Sequence, residues 1–144
     1  MKRGFTLTEI IIVIIIVGIL AAVGLSQYSA TVEKSRLAEA KIRIGAMRQL
    51  AYEYWLNNGT FTGITNADLG ADNTCASNSF YHFYNAGSTS TYVVLIAGRC
   101  TANGKIPNAS RIYYYYLMYY PVTAQDSWHC YYADDISPCF GLTP

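Results

Sequence analysis

The sequence predicts an α+β protein in which one long N-terminal helix packs on a small antiparallel sheet. Three observations carry that expectation. An uncharged run of 23 residues extends from Ile10 to Val32, bracketed by Glu9 and Glu33. An apolar stripe of helical period follows it directly. The rest of the chain offers four short β-rich segments separated by turn residues, with no helical pattern between them. At 144 residues this is one globular domain at most. Apolar residues make up 52% and charged residues 13%, about half the usual charged share, and the deficit is concentrated near the N-terminus. A net charge of +1 excludes a strongly basic nucleic-acid binder or an acidic disordered tail as the default. Two histidines and no metal-spaced ligand cluster leave little material for catalysis, so no cofactor and no metal are expected.

The helix comes first. Met1–Gly4 reads MKRG, and the 23 uncharged residues would span roughly 34 Å as a helix. That crosses the hydrocarbon core of a bilayer, with Lys2 and Arg3 on the cytoplasmic side. Two ordinary readings exist: a secretory signal cleaved near Ala21-Ala22, and an uncleaved anchor, which the residues favour. Neither accounts for Glu9, a carboxylate at the edge of the apolar run that is costly unless a cation meets it.

Beyond the anchor, Leu37, Ala40, Ile44, Met47, Ala51 and Tyr54 recur at steps of three and four, while Glu33, Arg36, Glu39, Arg43 and Arg48 occupy other faces. Asn57-Asn58-Gly59 reads as the stop. Residues 5–57 are thus expected to form one helix of about 80 Å, its second half packing the stripe on a head domain.

Residues 58–79 read as a long loop anchored by Phe61, Ile64 and Leu69, with a short helical turn at Asn66–Leu69. Strands are expected at Phe80–Tyr84, Thr91–Ala97, Arg111–Tyr120 and Ser127–Tyr132, spaced for an antiparallel meander. The third is nearly all tyrosine. Alternation would put Tyr113, Tyr115, Leu117 and Tyr119 on one face and Tyr114, Tyr116, Met118 and Tyr120 on the other. One face suits the helix, and the other suits solvent or a subunit contact.

Four cysteines, Cys75, Cys100, Cys130 and Cys139, favour disulfides in a small exported domain, with three connectivities open. A metal site from Cys100, His129 and Cys130 exists only on paper. Asp126, Asp134 and Asp135 lack calcium-loop spacing. Asn58-Gly59-Thr60 and Asn108-Ala109-Ser110 match a glycosylation pattern, and Ser88–Thr91 offers hydroxyls for O-linked sugars. The head pairs Arg99, Lys105 and Arg111 with five aspartates, a sum of −2; no nucleic-acid binding is expected of it.

Gly4-Phe5-Thr6-Leu7-Thr8-Glu9, after a short basic leader and before Gly18-Ile19-Leu20-Ala21-Ala22, resembles the N-terminus of type IV pilins and type II secretion pseudopilins. The resemblance implies cleavage between Gly4 and Phe5 by a prepilin peptidase, then N-methylation of Phe5. It also implies a role for Glu9 in assembly, its carboxylate pairing with the N-terminal amine of a neighbouring subunit. Removing residues 1–4 would leave 140 residues and shift the charge from +1 to −1. The family usually has a proline four residues after the Ala-Ala pair; here Ser26 stands there, so a kink is not implied, while Gly18 and Gly24 remain weak points.

Two further stretches extend the likeness. Asn58-Gly59-Thr60-Phe61 resembles the junction after the long pilin helix. Trp128-His129-Cys130 with Ile136-Ser137-Pro138-Cys139 resembles the C-terminal disulfide loop of type IVa pilins, which implies Cys130–Cys139 and leaves Cys75–Cys100 as the second bridge. The implied whole is the pilin fold: leader 1–4, hydrophobic helix 5–28, amphipathic half 29–57 and head 58–144. The implied function is that of a non-enzymatic pilus subunit for adhesion, motility or DNA uptake. Its partners would be further copies of itself, the prepilin peptidase and the assembly platform with its ATPase. It would wait in the inner membrane and end in an extracellular filament. A secretion pseudopilin or a low-copy minor pilin acting as adhesin are the alternatives.

Overall fold

The computed structural model describes residues 5–109, 111–123 and 125–132. Helix α1 runs Leu7–Asn58, followed by strands β1 (Tyr81–Ser88), β2 (Val93–Arg99), β3 (Tyr113–Tyr119) and β4 (Ser127–Tyr132). The chain divides into two compact units, Met1–Ser35 and Arg36–Pro144.

In the first unit, α1 is unbroken through Gly18, Gly24 and Ser26. Its apolar side chains are exposed: Ile10 is 50% exposed, Ile14 61%, Leu20 66% and Leu25 72%. The helix is long and apolar enough to cross a membrane, with a mean hydropathy of 2.8 over its most apolar window. A surface this apolar is stable only when lipid or other protein covers it.

In the second unit the stripe does the packing. Leu37, Ala40, Ile44, Met47 and Ala51 are all buried, and Tyr54 packs half-buried at the edge of the same core. Opposite them lies an antiparallel sheet in the order β1-β2-β3-β4. Its inner face contributes Tyr81, Phe83, Val93, Leu95, Ala97 and the whole alternate set Tyr113, Tyr115, Leu117 and Tyr119. Phe61, Ile64 and Leu69 from the connecting loop close one end of the core. Basic side chains flank the stripe and lie over aromatic rings at its rim. Arg36 and Arg43 stand over Phe80 and Phe83 at 4.6 and 5.9 Å; Lys41 and Arg48 stand over Trp128 and Tyr119 at 5.4 and 5.8 Å. The long aliphatic stems thus shield the core while the charges stay wet.

Helix termination follows the expected chemistry. Asn58 Nδ2 donates to the Tyr54 carbonyl at 2.8 Å, the Gly59 amide donates to Trp55 at 2.7 Å, and Gly59 takes φ 69°. Two local expectations are corrected. Asn66–Leu69 is a hydrogen-bonded turn, not a helical one, closed by Ala71 N–H on the Asn66 carbonyl at 2.9 Å. Strand β1 does not stop at Tyr84 but continues through Asn85-Ala86-Gly87-Ser88, with a bulge between Asn85 and Gly87. The turn-forming residues stay in the ladder because the loop holds them: Asn85 N–H donates to Asn66 Oδ1 at 2.8 Å, and Asn85 Nδ2 to the Ile64 carbonyl at 3.3 Å.

Candidate functional site

At its N-terminal end α1 is closed by Thr6 and Glu9 acting on each other. Thr6 N–H and Thr6 Oγ1 donate to Glu9 Oε2 at 2.8 and 2.7 Å, and Glu9 N–H donates to Thr6 Oγ1 at 3.3 Å. This is a reciprocal capping box, and it satisfies two of the amide groups that every helix start leaves without partners. The Thr-x-x-Glu spacing of this box is legible in the sequence. Both Thr6 donors use Oε2, so the cap leaves Oε1 available to an incoming cation. Phe5 is 82% exposed just ahead of the cap. Gly4, the other side of the expected cleavage junction, and the leader lie outside the described residues.

The cysteines and acids of the head sit apart from that terminus in sequence and serve other ends. Cys75 and Cys100 are joined, with Cα atoms 5.8 Å apart, tying the connecting loop to the end of β2. Cys130 is disulfide-bonded; Cys139, the Cys130–Cys139 bridge and the C-terminal loop lie outside the described residues. Because Cys100 and Cys130 are both oxidised, neither supplies a thiolate to the paper metal site with His129. His129 instead stacks on Tyr116 at 4.9 Å. Asp126 is bound to Arg48, Nη1 to Oδ2 at 2.7 Å; Asp134, Asp135 and Ser110 are outside the described residues. Among the described residues no three His, Cys, Asp or Glu side chains gather as metal ligands.

One functional-looking residue escaped the sequence reading. Arg99, counted only as one of the charges of the head, is 2% exposed. Its guanidinium donates to the carbonyls of Phe80, Cys100 and Pro107 at 3.0, 3.2 and 2.9 Å. It thereby holds the loop after β2 to the start of β1. A planar fork with five donors suits that task, and nothing in local sequence marks it.

Comparison with known proteins finds likenesses at this N-terminal end. Residues 1–25 match the prokaryotic N-terminal methylation motif. Over its N-terminal part the chain is also similar to type IV pilins and fimbrial proteins. It is 41% identical over 63 residues to a fimbrial protein of Neisseria meningitidis serogroup B, covering 44% of this chain and 37% of that one. It is 42% identical over 59 residues to the type IV major pilin protein PilE1 of Neisseria gonorrhoeae, covering 41% and 36%. A probable minor fimbrial protein of Dichelobacter nodosus is 44% identical over 60 residues, covering 42% and 37%. The chain thus spans little more than a third of the length of these relatives.

Proposed function

We propose that this protein is the structural subunit of a type IV pilus and works by assembly, not catalysis. The observation that carries the reading is the match of residues 1–25 to the methylation motif, on a helix whose N-terminal apolar side chains are exposed. Cleavage between Gly4 and Phe5 would free the Phe5 amine for methylation and remove Lys2 and Arg3. The remaining helix would hold the subunit in the inner membrane until a platform protein and its ATPase extract it. Moving apolar helix from lipid to a helical filament core changes little hydrophobic energy, so packing and polar pairs must set the order.

Glu9 would supply that pair. In a low-dielectric core an unpaired carboxylate costs several kcal/mol, so a subunit one step out of register is disfavoured even if the correct pair adds no net stability. The capping box fits this role, because Thr6 holds one oxygen and leaves the other for a neighbour's amine. In the head, Cys130 would close on Cys139, completing the C-terminal loop beside the bridge from Cys75 to Cys100.

Mass spectrometry of sheared surface filaments tests the reading. The expected result is an abundant 140-residue chain beginning at methylated Phe5. Intact Met1 in every fraction would overturn it. Glu9→Val should be processed normally yet yield no filaments; normal piliation would remove Glu9 from assembly.

A further inference from the structure

We propose that the cleft between α1 and the end of β3 binds a single sugar ring. The cleft belongs to the second unit and has a volume of about 270 Å³. Small-molecule pockets usually run from about 300 Å³ upward, so this one takes one ring and not an extended chain. Arg48, Gln49 and Tyr52 line it from the helix, Tyr119 and Tyr120 from the end of β3, and Asp126 from the approach to β4.

Its chemistry is amphipathic and neutral. Arg48 and Asp126 cancel as an ion pair at 2.7 Å, so the cleft selects neither an anion nor a cation. Tyr52, 43% exposed, is stacked on Trp55 at 6.3 Å, and the half-buried Tyr120 lies tilted against Tyr92 at 5.3 Å; the ring surface these contacts leave suits the apolar C–H face of a pyranose. The polar edges have capacity to spare. Among the described residues the hydroxyls of Tyr52 and Tyr119 and the amide of Gln49 make no side-chain hydrogen bond, and Arg48 uses one nitrogen on Asp126. Asp126 Oδ1, buried, has no donor among the described residues, so the carboxylate is under-satisfied as it stands. A molecule with apolar faces and a rim of hydroxyls fits such a site, and an aliphatic or charged one does not. The inference does not depend on the pilus reading, because a sugar can bind this cleft in the isolated chain.

Saturation-transfer NMR on the full chain in detergent micelles tests it. The probes are methyl β-galactopyranoside, methyl α-mannopyranoside and methyl N-acetyl-β-glucosaminide, at concentrations on the order of 10 mM to catch a millimolar Kd. At least one probe should show transfer to its ring protons. Tyr52→Ala should weaken binding about fivefold, the effect of losing one stacking contact. Gln49→Ala should weaken it measurably; Gln49 is exposed, so this variant carries the test should Tyr52→Ala fail to fold. Transfer to none of the three probes, or binding unchanged in the folded variants, overturns the proposal.

Discussion

His82 and Gly98 face each other across β1 and β2, and the imidazole occupies the space that a side chain at Gly98 would fill. The ring stacks on Tyr84 at 5.5 Å, and its Nδ1 lies 2.9 Å from Asn73 Oδ1. A glycine in the middle of a strand usually weakens it, and here it makes room for a ring.

Burial lowers the His82 pKa below its ordinary value of 6.5. The folded state therefore prefers the neutral ring. The stability this contributes is full above pH 6.5, the unfolded value, and is lost as pH falls through the lower folded value. Histidine NMR titration should place His82 below 6.5. Gly98→Ala should push the ring off the sheet, return the His82 pKa toward 6.5 and cost about 1–3 kcal/mol. An unmoved pKa in that variant would show that the ring's burial does not depend on Gly98.

Tyr81 and Tyr113 meet inside the core. Each is 1% exposed, and their hydroxyls lie 2.8 Å apart with the rings edge to face. Removing either hydroxyl deprives the other of one bond. In a double-mutant cycle Tyr81→Phe and Tyr113→Phe should couple by about 1 kcal/mol. Strict additivity in denaturant unfolding would mean that the contact contributes nothing.

Arg99 should be intolerant of change in a way surface arginines are not. Arg99→Met leaves the carbonyls of Phe80, Cys100 and Pro107 short of a donor and should cost about 2–4 kcal/mol. Arg99→Lys keeps the charge but cannot span three acceptors, so it should recover only part of the loss. The exposed Arg111 provides the comparison, and Arg111→Lys should change the melting temperature little.

The Cys75–Cys100 bridge closes a loop of sequence separation 25. On the chain-entropy account its removal, as Cys75→Ser with Cys100→Ser, should destabilise the head by about 3 kcal/mol. A melting temperature unaffected by the double substitution would assign the loop's order to Arg99 and the core instead.

Periodicity by itself determined much of this protein. The steps of three and four from Leu37 to Ala51 named the buried helix face residue by residue, because a helix in contact with one sheet exposes a single stripe to it. The alternation in Tyr113–Tyr119 named the inner face of β3 for the matching reason in a strand. The uncharged run and Glu9 marked the N-terminal class, since such residues are too costly to occur there without a use.

What the tertiary structure decided is everything that depends on contacts between residues distant in sequence. Turn-forming Asn85 to Ser88 became strand because Asn66 and Ile64 hold Asn85 from 19 and 21 residues away. Arg99 went inside because carbonyls of the loop after β2 and of Phe80 before β1 converge on it, and Arg48 found Asp126 across 78 positions. Local propensity is a difference of a few tenths to one kcal/mol per residue, so a few such long-range bonds are enough to override it.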